Sequence, residues 1–155
     1  MSSSRIRIVL LASVLLAGCL PSGEEAYRHI DFASCSWRIP MSYEAIRETT
    51  DKDFRFREKR PAWDNSIDVP LITFNRGKST KESFEVSRSL HKDFRIVESE
   101  DFLLVQYQIL IRDSGKVIGE GRKITVLVEK KTGDSVTLAA MDIKEVVSGC
   151  EIPNS

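Results

Sequence analysis

The sequence predicts a β-rich α+β fold: an antiparallel sheet of about five to seven strands with one or two short helices. Apolar residues occupy every second position from Leu103 to Ile111, which is typical of a strand with one buried face. Glycine-containing turn signals at residues 113–116 and 131–134 separate this segment from two more β-rich segments, 117–129 and 136–143. Three strands joined by tight turns predict an antiparallel meander in the C-terminal half.

Shorter elements are predicted in the preceding part of the chain. The segment Tyr43–Glu48, with Ser42 as its N-cap, predicts a short helix. Residues 80–92 fit either a strand, from their alternation, or a helix that residues 80–83 would open. Pro70 has no backbone N–H to donate to a neighbouring strand. The segment that contains it is therefore expected at a sheet edge or in a bulge. Strands are predicted at Cys35–Pro40, Phe54–Arg57 and Ile67–Phe74.

The first residues have the composition of a secretory signal. Arg5 and Arg7 supply positive charge, and no acidic residue precedes Glu24. Ile8–Ala17 is an apolar run of about ten residues, which fits the ~7–15 of a signal peptide and is shorter than the ~20 that span a bilayer. This segment therefore predicts export.

The apolar run ends in Leu16-Ala17-Gly18-Cys19. This tetrapeptide resembles the lipobox of bacterial lipoproteins. Small side chains before the cysteine let a signal peptidase approach the backbone, and only a thiol can form the thioether to lipid. The resemblance implies that Cys19 carries a diacylglycerol and that residues 1–18 are a signal peptide removed in front of it. An ordinary secretory signal with a chance cysteine, and an uncleaved membrane anchor, are the alternatives.

Acylation would hold the chain on a bacterial membrane, because two or three fatty chains such as palmitate anchor stably whereas one binds reversibly. Leu20 stands in place of the aspartate that resembles an inner-membrane retention signal. By that analogy we expect the outer membrane, with the domain facing the periplasm. Residues 19–33 are predicted to be the acylated N-terminus and a short tether of at most roughly 45–50 Å. Residues 34–155 are predicted to form a single β-rich domain.

Two cysteines remain if Cys19 carries the lipid. Cys35 and Cys150 lie near the two ends of the predicted domain, and an even pair in an oxidising compartment predicts a disulfide. In the chain-entropy model, closing a loop of ~115 residues contributes roughly 4–5 kcal/mol to stability. Two free thiols are the alternative, and the spacing does not resemble the C-x-x-C pattern of a metal site.

The most distinctive polar segment runs from Phe54 to Trp63 and begins with the predicted strand Phe54–Arg57. Strand alternation places Arg55, Arg57 and Lys59 on one face, opposite two phenylalanines, and Arg60 and Trp63 follow in a loop. Arginine and tryptophan are enriched at binding hot spots, so these five residues, the basic stripe, form a candidate partner surface. A solvated strand face followed by a loop is the alternative.

Composition and motifs favour a non-enzymatic function. Loss of residues 1–18 removes two of 23 basic residues and none of 23 acidic ones, so the net charge of about −2 gives no general attraction to nucleic acid. His29 and His91 are the only histidines, and neither a G-x-S-x-G elbow nor an H-E-x-x-H motif is present. We therefore assign no catalytic residue, cofactor or metal.

These observations favour a membrane-anchored binding or accessory module, such as a subunit of an envelope assembly, with an envelope protein as its partner. An inhibitor or immunity protein that blocks a toxic hydrolase in the periplasm is the second possibility. A small envelope enzyme is the third.

Overall fold

The structure is a computed structural model that describes residues 26–46, 53–59, 71–77 and 79–154. The described residues form ten strands and two short helices, with a 3-10 turn at Arg88–Leu90. The helices are α1 (Lys81–Glu85) and α2 (Ile143–Val146). The strands are β1 (Tyr27–Phe32), β2 (Cys35–Pro40), β3 (Tyr43–Ala45), β4 (Asp53–Glu58), β5 (Ile72–Asn75), β6 (His91–Glu98), β7 (Phe102–Asp113), β8 (Lys116–Glu129), β9 (Ser135–Ala139) and β10 (Val147–Ser148).

The strands make two antiparallel sheets. A seven-stranded sheet has the order β3-β4-β5-β9-β8-β7-β6, and a three-stranded sheet has the order β1-β2-β10. Within the large sheet β7 pairs with β8, and β8 pairs with β9, so the predicted C-terminal meander is confirmed. The β-rich α+β fold class with short helices is confirmed as well.

The small sheet covers one face of the large sheet, and the main core lies between them. Phe74 is at its centre, fully buried, with its ring 5.3 Å from that of Phe32, 5.8 Å from Trp37 and 6.1 Å from Phe56. All three contacts are edge-to-face, the geometry that the charge distribution of aromatic rings favours. Burial of an aromatic side chain of this size contributes about 1.5–3 kcal/mol.

The opposite face of the large sheet is covered over part of its area by α1, with side chains of the edge strand β6 packed beside it. A second apolar cluster there includes Val105 and Val126 with Phe84 of α1 and Phe94 of β6 packed on them. Since both faces are covered, four consecutive residues of β7 and six of β8 are buried, Phe102–Val105 and Ile124–Glu129. The alternation pattern predicted only one buried face for β7.

Residues 80–92, which fitted either a strand or a helix, begin with the helix α1. Thr80 is its N-cap: the Ser83 N–H donates to Thr80 Oγ1 over 3.3 Å, and the Thr80 N–H donates to Ser83 Oγ over 3.2 Å. This reciprocal capping satisfies two donors that a helix start leaves free. The chain is helical to Glu85 and becomes a strand at His91.

Three sequence-based boundaries are wrong. The helix predicted over Tyr43–Glu48 is strand β3 as far as Ala45, because pairing with β4 and burial of Tyr43 outweigh local helix propensity; residues 47–48 lie outside the described part. The predicted tether, 19–33, contains β1, which pairs with β2 along its whole length. The third strand of the meander ends at Ala139, before the predicted 143, because Asp142 caps α2.

Candidate binding surfaces

The basic stripe lies partly on β4. Arg55 pairs with Thr73 and Arg57 with Glu44, so these two arginines share the sheet face opposite Phe56, as alternation predicts. Phe56 is buried, whereas its neighbour Phe54 is 38% exposed at the margin of the core.

Lys59 follows the end of β4 and is exposed, with its N–H donating to the Ser42 carbonyl over 2.9 Å. Arg60 and Trp63 fall outside the described residues. The structure therefore brings together Arg55 and Arg57 on one face but describes only part of the predicted stripe.

Arg57 is engaged by a carboxylate from the neighbouring strand. Its Nη2 lies 2.8 Å and its Nε 3.0 Å from Glu44 Oε1. Cross-strand ion pairs of this partly exposed kind contribute about 0.2–1 kcal/mol. A partner that binds Arg57 through an anionic group would have to displace Glu44.

A second surface arises because β7 and β8 are longer than their neighbours. Strand β6 pairs with β7 no further than Ile109, and β9 pairs with β8 only from Ile124 onward. Beyond these points residues 110–122, here called the arm, form a two-stranded hairpin that no other described strand flanks. The arm ends in the turn 113–116, where Ser114 (φ 48°) and Gly115 (φ 80°) have the paired positive φ values of a tight hairpin turn.

Apolar side chains on the arm are exposed. The exposed fractions are 46% for Ile111, 51% for Val117 and 66% for Ile118, with Ile109 at 37% at the base of the arm. By register Ile111 lies opposite Gly119 and Val117 opposite Arg112, so the exposed apolar side chains lie on both faces of the hairpin. A two-stranded hairpin is marginally stable in water by itself, so a partner that covers these side chains would stabilise it. The arm is therefore the strongest candidate contact surface in the described residues.

An aromatic stack supports the base of the arm. The His91 ring stacks on Tyr107 with centroids 4.3 Å apart, Phe94 stacks on the same Tyr107 at 6.0 Å, and the Arg88 guanidinium lies 4.6 Å above Phe94. Burial raises the pKa of Tyr107. His91 is half-buried, and its buried Nδ1 has no hydrogen-bond partner within the described ranges.

A buried carboxylate lies at the other end of the large sheet. Glu129, 8% exposed, accepts hydrogen bonds from Ser34 Oγ and, over 2.6 Å, from Thr132 Oγ1. These two bonds lower the pKa of Glu129, with the Ser34 bond the larger cause. The site borders an open cavity of about 420 Å³ lined by Asp101 and Cys150 among others. Because both Glu129 oxygens are used to join the β1–β2 turn to the turn after β8, this group has a structural role.

The two predicted partner cysteines lie side by side. The sulfur atoms of Cys35 and Cys150 are 2.00 Å apart and their Cα atoms 5.1 Å apart. They link the start of β2 to the segment after β10, close to Glu129. The sequence-predicted pair is thus placed at disulfide distance.

Within the ranges that the structure describes, no helix is both long enough and apolar enough to cross a membrane. The same ranges hold no group of three or more His, Cys, Asp or Glu side chains that could bind a metal ion. Comparisons with protein families, characterised proteins and solved structures find no match to this chain. Residues 16–19, which carry the lipobox resemblance, lie outside the described part.

Proposed function

We propose that the chain is a lipid-anchored envelope protein that acts as a binding or accessory module, with its domain facing the periplasm. Three features support the anchor and its compartment. The lipobox resemblance ends at Cys19, an apolar run of signal-peptide length precedes it, and Cys35 and Cys150 lie at disulfide distance, as suits an oxidising compartment. Leu20 favours the outer membrane by the analogy stated above.

The exposed apolar side chains of the arm are the main support for a binding role. The three side chains Ile111, Val117 and Ile118 are 46%, 51% and 66% exposed, so covering each would contribute about half of the ~1.5–3 kcal/mol of full burial. A hairpin without a third strand gains stability when such side chains are covered. The arm thus supports a module that engages another component of the envelope.

The start of β1 limits how far the domain can lie from the lipid anchor. If Cys19 carries the lipid, residues 20–25 alone connect it to Ala26, because β1 belongs to the fold. At ~3.5 Å per residue this tether reaches at most about 20 Å. The domain would then work against the membrane surface or against partners close to it.

A photo-crosslinking amino acid at position 111 or 117 tests the binding role in living cells. We expect crosslinks to an envelope component, protein or lipid, and none from the same group at position 86. Val86 is the matched control because it is 81% exposed and lies outside the arm. Equal yields at the arm and control positions would contradict the proposal.

One observation favours a second candidate, an inhibitor of a toxic hydrolase. The tip of the arm is charged, with Arg112, Asp113 and Lys116 around the turn, and a projecting charged hairpin can enter a catalytic cleft. In that case a crosslinker at Ser114, in the turn itself, should capture a hydrolase, and the purified chain should inhibit it stoichiometrically. Crosslinks from the sides of the arm but not from Ser114 would exclude this role.

A further inference from the structure

The arm and the start of the described chain lie at the same end of the large sheet. The Ala26 carbonyl accepts the N–H of Met41 over 2.8 Å, and the chain enters β3 two residues later at Tyr43. Tyr43 pairs with Glu58, two residues past Phe56. Phe56 belongs to a row of cross-strand partners that runs through Ile72, Leu138, Thr125 and Gln106.

The same row gives the direction of the arm. Two residues past Gln106, toward the same end of the sheet, Gln108 pairs with Lys123, and the arm begins immediately beyond. Ala26 and the arm therefore leave the sheet at one end, separated by the four strand spacings from β3 to β8, or about 20 Å at ~4.8 Å each.

The reach of the arm matches the reach of the tether. From Gln108 to Asp113 the arm adds five residues, or roughly 17 Å at ~3.3 Å per residue, beyond the row where the chain enters β3. Residues 20–25 span at most about 20 Å. Even a fully extended tether leaves the tip of the arm near the surface that holds the lipid, and sheet twist of roughly 20° per strand makes the approach oblique.

The side chains of the arm suit the boundary between lipid headgroups and acyl chains. Ile111 provides an apolar side chain on one face of the arm and Val117 on the other, and Ile118 adds a third close to the turn. The arm also carries three basic and two acidic side chains. One of the acids, Glu120, forms an ion pair with Lys92, so a single carboxylate remains to offset the three basic side chains. These basic side chains are Arg112, Lys116 and Arg122, and the remaining acid is Asp113. Apolar side chains flanked by basic ones bind membrane interfaces and prefer anionic lipid.

We infer that the arm rests on the bilayer that holds the anchor and inserts its apolar side chains at the headgroup boundary. This inference depends on the proposed lipid attachment and names the surface that the arm engages. The arm would act as a second contact, fixing the orientation of the domain that a lipid tether alone leaves free to rotate. A defined orientation presents the opposite end of the sheet, with Glu129 and the Cys35–Cys150 pair, away from the membrane.

A fluorophore on the arm of the acylated full-length chain tests the inference. Ile118→Cys introduces one reactive thiol, since lipid would block Cys19 and the other two cysteines lie at bonding distance. The chain is reconstituted in phosphatidylethanolamine–phosphatidylglycerol vesicles with an environment-sensitive label. We expect blue-shifted emission that spin-labelled lipid quenches and aqueous iodide does not. Val86→Cys, labelled in the same way, should show the reverse.

Equal iodide quenching at the two positions would overturn the inference. A blue shift that grows with protein concentration and needs no vesicles would overturn it in favour of a second copy of the chain. Crosslinks from position 111 to protein alone would overturn it while leaving the proposed binding role intact. Intact mass reports acylation separately, so failure of the anchor and failure of the arm contact are distinguishable.

A second experiment removes the anchor and needs no label. Cys19→Ala chain should float with anionic vesicles more than with neutral phosphatidylcholine vesicles, and less as salt is raised. The combined change Ile111→Ser, Val117→Ser and Ile118→Ser should reduce flotation about tenfold, while Val86→Ser should not. Circular dichroism checks that each variant is folded. Equal flotation of the triple variant and the Val86→Ser control would contradict the membrane contact.

Discussion

Gly121 lies directly against Ile109 where the arm begins. A Cβ atom built on this glycine would be 3.2 Å from Ile109 Cβ and 3.3 Å from Ile109 Cγ2. Gly119, two residues closer to the tip, meets only Ile111 Cδ1, at 3.9 Å. The pairing of β7 with β8 shifts register on both sides of Leu110–Ile111, and bulges of this kind bend a hairpin. The absence of a side chain at Gly121 therefore allows the close approach that sets the course of the arm.

Gly121→Ala should destabilise the protein, because the new methyl forces Ile109 to move. Overpacking of a well-packed core costs about 1–3 kcal/mol, and since Ile109 is 37% exposed we expect the lower end of that range, about 1 kcal/mol. Gly119→Ala is the matched control and should be neutral or slightly stabilising, since its Cβ makes an ordinary contact and alanine restricts the unfolded chain. Urea denaturation of the two variants measures the difference. A stability loss at position 119 equal to that at 121 would contradict the close contact.

Removing the cysteine pair by Cys35→Ser with Cys150→Ser should lower the free energy of unfolding. The chain-entropy model gives roughly 4–5 kcal/mol for a loop of this length, which urea denaturation can measure. Peptide mapping without reductant should recover both cysteines in one linked fragment. Free alkylation of both thiols in the unfolded, unreduced protein would show that no bond exists.

The buried carboxylate predicts a pH dependence of stability. Hydrogen bonds from Ser34 and Thr132 lower the folded-state pKa of Glu129, so the group stabilises the fold above its unfolded pKa of about 4.3. That contribution is lost as the pH falls through the folded-state pKa. Glu129→Gln should cost about 1–3 kcal/mol at neutral pH, because a hydroxyl loses its charged acceptor.

Urea denaturation from pH 7 down to pH 3 measures the effect. The Glu129→Gln variant should lose less stability on acidification than the wild type. The exposed Glu100 provides the control for the substitution itself, since Glu100→Gln removes a carboxylate that is not buried and should leave the stability at neutral pH unchanged. Parallel acid profiles for the wild type and Glu129→Gln would contradict the role given to this carboxylate.

If the basic stripe is a partner surface, its centre should contain one or two residues whose truncation costs more than about 2 kcal/mol. This corresponds to roughly a 30-fold loss of affinity. Arg57→Ala, Arg60→Ala and Trp63→Ala are compared by pull-down from envelope extracts, with Glu44→Gln added to free Arg57 from its ion pair. Should all variants keep the same partners at the same strength, the stripe is a solvated face.

Local sequence patterns predicted the elements whose conformation is set by residues nearby in the chain. Alternation over Leu103–Ile111 gave the strand β7, and the turn at 113–116 gave its hairpin with β8. Alternation also grouped Ile109 and Ile111 with the buried positions, yet both are exposed, because β6 ends beside Ile109 and β9 ends level with Tyr107. The length of a neighbouring strand is not encoded in the pattern of the strand beside it.

Long-range contacts explain the remaining differences. Tyr43–Ala45 is a strand because it finds β4 as a partner, a contact that outweighs its helix propensity. Glu129 was missed as a buried group because its partner Ser34 is 95 residues away. The cysteine pair was predictable despite its separation, since counting the cysteines needs no knowledge of the fold.

Labelling with a fatty-acid analogue shows whether Cys19 carries a lipid. Wild-type and Cys19→Ala chains are expressed in a bacterial host, labelled and separated into membrane and soluble fractions. We expect label on the wild type alone, mass spectrometry locating the lipid on an N-terminal Cys19, and release of Cys19→Ala from the membrane fraction by a high-salt wash that leaves the wild type bound. Equal labelling of the Cys19→Ala chain, or an unmodified cysteine in the wild-type N-terminal peptide, would contradict the account.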